Sequence, residues 1–215
     1  MSALRRDARR NRELLMEAAH EVFAEQGLQA PLDVIARRAG VGNATLYRHF
    51  PTRAALIDAV FHDQLTDTMT AGAQARSAPD AWTGLTAYLE TVFTTLAADR
   101  GTNDLMTTRL DGVDSLQAVH AHNRETVELL LRRGQKEGTV RDDVPVEDVL
   151  FTLAALGRAV PALTTTTTPD AWRRPLHLFL SGLHTAPTPQ PLPGQALTAA
   201  ELADVLQDLG PQRMA

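Results

Sequence analysis

The chain has 215 residues, of which 21 are Lys or Arg and 26 are Asp or Glu, so its formal net charge is -5. Its 44% hydrophobic and 22% charged residues are ordinary for a globular protein and exclude a disordered one. It contains no cysteine, which excludes a disulfide framework, a thiolate metal site and a cysteine nucleophile, and which fits a reducing cytoplasm.

The charge is divided unevenly along the chain. Residues 1–53 hold nine arginines and six acidic residues, a net charge of +3, whereas residues 54–215 carry a net charge of -8. Such asymmetry is typical of a nucleic-acid-binding end, although a solvated surface gives the same pattern and is favoured on charge alone. No apolar segment follows the arginine-rich start, so a signal peptide is not expected, and no apolar stretch approaches the about 20 residues that cross a bilayer.

The first part of the chain shows helical periodicity with clear breaks. An apolar stripe from Leu14 to Phe23 predicts a first helix that ends at Gly27. A short second helix is predicted from Leu32 to about Ala39, followed by a glycine-containing break. Asn43 is expected to cap a third helix that runs to about Phe50, and Thr52 is expected to cap a longer fourth helix.

Helical periodicity continues after a break at residues 75–79. The predicted elements are a fifth helix from Pro79 to Gly101, a short sixth segment with Leu105 to Leu110, a seventh helix from Asp114 or Ser115 to Gly138, and an eighth from Pro145 to Pro161. No stretch alternates between polar and apolar residues for more than a few positions. The fold class predicted is therefore all-α.

The last part of the chain is less regular. Residues 164–168 are five threonines, which favour a loop because β-branched residues are poor helix formers. A ninth helix follows, and Pro175 either kinks it or marks the start of its regular part near Arg174. Residues 186–194 predict an extended proline-rich linker, and a weak helix is predicted from Thr198 to Leu209.

Residues 31–53 carry the pattern that is most informative about function. They predict two short helices joined by a glycine-containing break, with a polar start to the second helix, which is typical of a helix-turn-helix motif. An αα-corner of a helical bundle is equally consistent with this spacing.

A helix-turn-helix motif brings the first residues of its second helix to the floor of the major groove. Asn43 can hydrogen-bond base edges there, and Ala44 can contact a thymine methyl group. Leu46 and Phe50 lie four residues apart and are expected to pack inward. The other candidate DNA contacts offer donors that would fix register on phosphates, and they are Thr45, Tyr47, His49 and Arg53.

Residues 41–53 (VGNATLYRHFPTR), followed by Ala55, Leu56 and Ile57, resemble the signature of the tetracycline-repressor (TetR) family of bacterial transcriptional regulators. The resemblance covers about residues 9–61 and rests on helix number and length beyond them. It implies a helix-turn-helix head of three helices joined by helix four to a larger helical domain. The domains expected are a DNA-binding head with a basic N-terminal arm (1–53), a ligand-binding and dimerisation domain (54–186), and a Pro-rich linker with a weak C-terminal helix (187–215).

The resemblance also implies roles for particular residues. Arg48 would face the same groove and add a contact there. The other DNA contacts would be the six candidates given above, Asn43, Ala44, Thr45, Tyr47, His49 and Arg53. Many members of the family open the second helix with a hydroxyl cap that touches DNA. Here Pro31, Leu32 and Asp33 occupy that start, and the Asp33 carboxylate would repel phosphate. Arg9 and Arg10 of the basic arm would compensate, either in the adjacent minor groove or along phosphates.

Several residues are candidates for a ligand pocket. His120 and Asn123 share the inward face of helix seven, although a histidine at the edge of the core is the plainer interpretation. The resemblance implies that the far end of helix four forms the pocket floor. The candidates are Phe61, Leu65, Met69, Trp82, Phe93, Met106, His120, Asn123 and Phe151, and the aromatic and methionine side chains among them could equally be ordinary core.

No catalytic triad, carboxylate pair, phosphate-cradling loop or metal-ligand spacing appears in the sequence. His120 and His122 would point about 200° apart on a helix and could not share a metal. We therefore expect no enzyme activity, no metal and no cofactor.

The function predicted is that of a cytoplasmic, homodimeric, ligand-responsive repressor of transcription. It would bind a pseudo-palindromic operator, leave it when an unknown small-molecule effector binds, and have no membrane partner. Helices eight and nine would form the dimer contact through Val149, Leu150, Leu153, Leu156, Leu176, Phe179 and Leu183. Two alternatives remain, a helical ligand carrier or enzyme with an incidental basic N-terminus, and a structural DNA-binding protein without an effector.

Overall fold

The computed structural model describes residues 3–108, 110, 112–185 and 197–208 of the chain. All regular secondary structure over these residues is α-helical, apart from an isolated bridge between Val140 and His184, which confirms the all-α prediction. The helices in the described residues are α1 (Ala3–Gln26), α2 (Leu32–Arg38), α3 (Asn43–His49), α4 (Arg53–Arg76), α5 (Ala81–Leu96), α6 (Arg100–Thr107), α7 (Asp114–Glu137), α8 (Val146–Thr166), α9 (Arg173–Leu183) and α10 (Ala199–Asp208).

The helix ends in the N-terminal head follow local signals in the sequence. α1 ends where Gly27 adopts a φ of 80°, a left-handed conformation that favours glycine. The Thr52 hydroxyl accepts a hydrogen bond from the Ala55 N–H at 3.1 Å and so caps α4, as predicted. Asn43 does not cap α3, because it is the first helical residue and the extended backbone of Gly42 precedes it.

The boundary between helices five and six differs from the prediction. α5 ends at Leu96 rather than at Gly101. The reason is a second helix start, since the Asp99 carboxylate accepts a hydrogen bond from the Thr102 N–H at 2.7 Å and caps α6. Gly101 therefore lies inside α6.

The boundaries of α7 are partly as predicted. Its first helical residue is Asp114, and the residue before it is Val113, so neither Asp114 nor Ser115 caps the helix through its side chain. α7 ends at Gly138, whose φ of 72° satisfies the left-handed C-terminal position.

The predicted stop of α8 at Pro161 is wrong, since the helix continues to Thr166. A proline inside a helix removes the N–H that would bond the carbonyl four residues earlier, here that of Gly157. Asn103 of α6 supplies the missing donor, because its side-chain N–H bonds the Gly157 carbonyl at 2.9 Å. A tertiary contact thus compensates for the proline.

The predicted threonine loop is also wrong for residues 164–166, which form the last turn of α8. Their hydroxyls bond carbonyls of the preceding turn, as in the bond from Thr164 to Val160 at 3.0 Å and from Thr166 to Ala162 at 2.7 Å. This back-bonding satisfies the hydroxyl groups within a helix.

α9 settles the question raised by Pro175. The helix begins at Arg173, so Pro175 is its third residue. The N–H groups of a first helical turn have no intrahelical partner, and a proline there removes no hydrogen bond. Pro175 therefore lies in the first turn of α9 and does not kink it, in agreement with a regular start near Arg174.

Two hydrophobic clusters hold the helices together. The first joins α1, α2 and α3 to the N-terminal half of α4 and to parts of α6 and α7. The second lies among α5, α7, α8 and α9. Met106 of α6 packs against both clusters, so α6 lies between the head and the larger domain.

The predicted C-terminal helix is present as α10, which packs on α8. Its Leu202 is buried, and the N–H of Leu197 just before it bonds the Asp148 carboxylate of α8 at 3.2 Å. Thr198 and Glu201 bond each other's backbone N–H groups, which is a capping box. The predicted linker, residues 186–194, lies outside the described residues.

α8 corrects the statement that no apolar stretch approaches the length of a membrane span. By length and composition its 21 residues could cross a bilayer, and only a small share of them is buried within the chain. This is weak support for a membrane, because the same helix packs against α5, α6, α7 and α10.

Candidate nucleic-acid interface and interior cavity

α3 presents one polar face to solvent. Leu46 and Phe50 are buried in the head cluster and hold the helix against it. The side chains of Asn43, Ala44 and Arg48 are exposed on the outer face. Tyr47 is 53% exposed, which is unusual for a large aromatic side chain. Thr45 and His49 are partly buried at the edges of this face.

Arg53 has a different environment from the other candidate DNA contacts. Its Nη1 donates hydrogen bonds to the carbonyls of Leu28 at 2.8 Å and Ala30 at 2.7 Å, in the turn between α1 and α2. Burial lowers the pKa of Arg53 from its usual value, but an arginine stays charged at neutral pH. Arg53 therefore joins the turn to the start of α4, a role that the sequence did not indicate.

We expect Arg53→Met to destabilise the head by about 1–3 kcal/mol, because two carbonyls lose a charged donor. Operator affinity should fall with it. Arg48→Met, at an exposed neighbour, should lower affinity without changing stability. Urea unfolding and DNA titration of both variants would check this, and unchanged stability of Arg53→Met with weaker DNA binding would favour direct phosphate contact instead.

The basic N-terminus is helical, not an extended arm, since α1 includes it from Ala3 onward. Arg9 forms an exposed ion pair with Glu13 at 3.0 Å, and Arg10 is exposed. A helix of about 10–12 Å diameter does not fit a minor groove of about 6 Å width. Arg9 and Arg10 would therefore reach a minor groove or a phosphate only with their side chains, from the surface of α1, and both alternatives stay predictions.

A cavity of about 540 Å³, partly open to solvent, lies between α5, α6, α7, α8 and α10. This volume is typical of small-molecule sites. Most of its wall is apolar, and α10 contributes Leu202 and Ala203. Of the sequence candidates, the residues that line it are Phe93, Met106, His120 and Asn123.

The other pocket candidates lie elsewhere. Phe61 and Leu65 are buried in the head cluster, because α4 turns that face toward α1. Met69 is 37% exposed, and Trp82 packs edge-on against His184 at 4.7 Å between ring centres. Phe151 is half-buried on α8 and does not line the cavity.

Neutral polar groups line one part of the cavity. The Tyr88 hydroxyl donates to the Asn123 side-chain oxygen at 2.5 Å, and burial raises the pKa of Tyr88. His120 Nε2 lies 3.2 Å from the Met106 carbonyl, so Nε2 carries the proton and donates. Burial lowers the pKa of His120, which keeps the ring neutral at pH 7. Sequence reasoning missed Tyr88, although its spacing from Trp82 and Leu85 marks the same helix face.

α6 connects this cavity to the head. Met106 and Thr107 line the cavity, while the Asp104 carboxylate accepts a hydrogen bond from the Leu28 N–H at 3.2 Å in the head. Gly101 faces Phe23 of α1 so closely that a Cβ would lie 2.9 Å from its backbone. A displacement of α6 at the cavity would therefore be transmitted directly to α1.

The residues predicted to form the dimer contact do not share one outer surface. Val149, Leu176 and Leu183 are buried in the chain's own second cluster, so they cannot contact a second copy. Leu150 and Leu153 line the cavity. Leu156 and Phe179 are partly buried against the same cluster. The sequence did not single out Leu178 of α9, which is 74% exposed.

Comparisons with known proteins cover both parts of the chain. Residues 15–60 match the family described as bacterial regulatory proteins, tetR family, and residues 79–185 match the family described as transcriptional regulator SbtR-like, C-terminal domain. An HTH-type transcriptional regulator of Staphylococcus aureus (strain USA300) is 41% identical over 54 residues. That match covers 25% of this chain and 29% of the relative.

Solved structures match over a greater length. A TetR transcription regulatory protein from Mycobacterium vanbaalenii is 33% identical, with 85% of this chain and 99% of that chain covered and a TM-score of 0.50. The regulator FadR from Bacillus subtilis, solved in complex with stearoyl-CoA, is 20% identical, with 80% and 99% covered and a TM-score of 0.60, which supports the fold alone. The two family matches and the 33% identity across nearly all of the Mycobacterium protein show that the chain belongs to the TetR family of bacterial transcriptional regulators.

Proposed function

We propose that the chain is a cytoplasmic, ligand-responsive repressor that binds a pseudo-palindromic operator as a homodimer and leaves it when a small molecule occupies the cavity. The observation that carries the proposal is the outer face of α3, where small and polar side chains lie exposed over the buried Leu46 and Phe50. Such a face on a helix-turn-helix suits the floor of the major groove.

Each exposed side chain of α3 has a chemistry that suits one part of DNA. Asn43 can read a base edge, and Ala44 leaves room for a thymine methyl group. Tyr47 and Arg48 can bond phosphates and so fix the helix in register. Thr45 and His49, at the edges of the face, are further phosphate donors.

The apolar surface of α8 and α9 supports a homodimer. Leu178 on α9 is 74% exposed, and Phe151 and Ala155 on α8 are only half-buried. A second copy would cover these side chains around a two-fold axis. The two α3 helices would then lie about 34 Å apart, one turn of DNA, which predicts the pseudo-palindromic operator.

Release by a ligand would act through α6. A ligand changes the DNA-binding state only if it binds the incompetent conformation more tightly than the competent one. Because α6 lines the cavity and also bonds the head through Asp104, a ligand that displaces α6 would move α1 and change the spacing between the two α3 helices. The FadR relative holds stearoyl-CoA in its structure, which is consistent with an effector site in this fold.

Tyr47→Ala tests the docking of α3. We expect it to lower operator affinity about 10- to 100-fold, because a positioned contact contributes about 1–3 kcal/mol and Tyr47 is an exposed side chain outside the buried core of the head. Leu129→Ala is the matched control, since Leu129 is a comparably exposed apolar side chain (47%) on α7. Both would be titrated against DNA selected from the source genome by the purified wild-type protein.

The same titration separates the proposal from a ligand carrier with an incidental basic N-terminus. A regulator that contacts phosphates through several arginines should lose affinity steeply and linearly on a logarithmic scale as salt is raised. A carrier should select no DNA fragment. Equal affinities of Tyr47→Ala and wild type would contradict the docking.

A further inference from the structure

The charges on the cavity wall are unbalanced. Among the described residues that line it, Arg124 and Arg158 are charged and no Asp or Glu is present. Arg124 is already paired, with its Nη2 2.9 Å from the Glu147 carboxylate. Arg158 forms no ion pair with a carboxylate of the described residues. Its Nη1 donates a long hydrogen bond to the Thr108 hydroxyl, at 3.4 Å.

A guanidinium in this position favours an anion. Arg158 is half-buried on α8, so part of its hydration is lost without a charged partner from the described chain. Its planar donors match a carboxylate in two-point geometry, whereas one hydroxyl satisfies a single donor. The rest of the wall, formed by side chains such as Val92, Leu96 and Leu153, suits a hydrocarbon chain.

We infer that the effector is an amphipathic carboxylic acid, whose carboxylate binds Arg158 and whose hydrocarbon chain fills the cavity. The inference rests on the proposed function in one respect, because it takes the cavity as the effector site. It adds the chemical class of the ligand and the residue that selects it.

The surroundings of Arg158 favour the free acid over its coenzyme A thioester. Arg158 also borders a second cavity of about 810 Å³, next to the C-terminal end of α1. That cavity is lined by the carboxylates of Glu25, Asp99 and Asp104 against one further arginine, Arg100. Glu25 is already paired with Arg38 at 2.7 Å, so the carboxylates that would repel the phosphates of a coenzyme A headgroup there are those of Asp99 and Asp104.

The position of Arg158 also connects the ligand to the head. Its partner Thr108 is the C-terminal cap residue of α6. A carboxylate that takes Arg158 from Thr108 would remove a contact between α8 and α6. Since α6 bonds the head through Asp104, the anion would bias the same element that contacts α1.

The test compares three ligands of equal chain length on the full-length wild-type protein by isothermal titration calorimetry. Dodecanoate, below its micelle concentration, should bind at least about 10-fold tighter than dodecanol, because a hydrogen-bonded charge adds more than a neutral hydroxyl. It should also bind tighter than dodecanoyl-coenzyme A. Equal binding of dodecanoate and dodecanol, or no binding of either, would overturn the inference, and tighter binding of the thioester would overturn the choice of the free acid.

Arg158→Met identifies the selecting residue. It keeps an unbranched apolar side chain in place of the aliphatic part of the arginine and removes the guanidinium, so dodecanol affinity should stay unchanged while dodecanoate affinity falls about 10- to 100-fold. Arg132→Met, at an exposed arginine that does not line the cavity, should change neither. If Arg158→Met retains the full preference for dodecanoate, Arg158 is not the carboxylate site. The wild-type comparison stands even if this variant does not fold.

Operator binding is measured separately so that the two proposals fail independently. Arg158→Met lacks the bond to Thr108 with or without ligand, so dodecanoate that releases the wild type from operator DNA should leave the operator affinity of the variant unchanged. Selective dodecanoate binding by a wild-type protein that binds no DNA would refute the proposed function and leave the ligand inference standing. A wild-type protein that binds operator DNA but does not prefer dodecanoate would refute the ligand inference and leave the proposed function standing.

Discussion

Leu178→Glu is expected to convert the proposed dimer into monomers and to lower operator affinity at least about 100-fold. Leu178 is 74% exposed on α9, while its neighbours Leu176 and Leu180 are buried on the opposite face. A carboxylate at a two-fold interface would face its own copy and would lose hydration there. Each head would then bind a single half-site, and the advantage of two linked sites, about 10²- to 10⁴-fold, would be lost.

The readouts for Leu178→Glu are sedimentation equilibrium and DNA titration. Helix content by circular dichroism should stay the same, because the chain's own core does not contain Leu178. Leu129→Glu, on the exposed side of α7, should remain dimeric and bind DNA normally. A Leu178→Glu protein that stays dimeric would show that the interface lies on another surface.

Asn103→Leu is expected to destabilise the larger domain by about 3 kcal/mol. Asn103 is 3% exposed, and its side-chain N–H groups bond the carbonyls of Leu96 at 3.2 Å and Gly157 at 2.9 Å. Leucine has a similar volume and fills the site, but it leaves both buried carbonyls without a donor. Each unsatisfied buried group costs about 1–3 kcal/mol.

A double-mutant cycle identifies the cause of this loss. Pro161→Ala restores a backbone N–H opposite the Gly157 carbonyl, so it should recover part of the stability in the Asn103→Leu background. Urea unfolding of the wild type, the two single variants and the double variant gives the coupling energy. Strictly additive effects would mean that Asn103 does not stand in for the missing proline N–H.

The head could be predicted closely from the sequence because its signals are local. Glycine and proline mark the ends of α1 and α2, the Thr52 cap opens α4, and the spacing of Leu46 and Phe50 sets the inner face of α3. A spacing of four residues fixes which side chains share a face of a helix, whatever the rest of the fold does. The exposed set on α3 follows from that spacing alone.

The role of Arg53 could not be predicted in the same way. Its partners are two carbonyls more than 20 residues earlier, in the turn between α1 and α2. Backbone carbonyls leave no mark in a sequence, so an arginine that bonds them looks the same as one that contacts phosphate.

The C-terminal errors share one physical reason. Pro161 and the threonines after it have low helix propensity, and only tertiary contacts, such as that from Asn103, allow α8 to continue. The residues of the dimer contact and of the cavity could not be predicted either. Periodicity shows which apolar side chains share a face of a helix, but it does not show whether that face contacts the chain's own core, a cavity or a partner. It therefore could not assign Val149, Leu150 and Phe151 to one of these surroundings.

A footprint on operator DNA tests the central claim most directly. The purified protein would be used to select fragments of its source genome, and hydroxyl-radical cleavage of the bound fragment would map the protected bases. We predict two protected patches one helical turn apart around a two-fold axis, present with wild type and Leu129→Ala and strongly reduced with Tyr47→Ala. No selected fragment, or equal protection by Tyr47→Ala, would contradict the account.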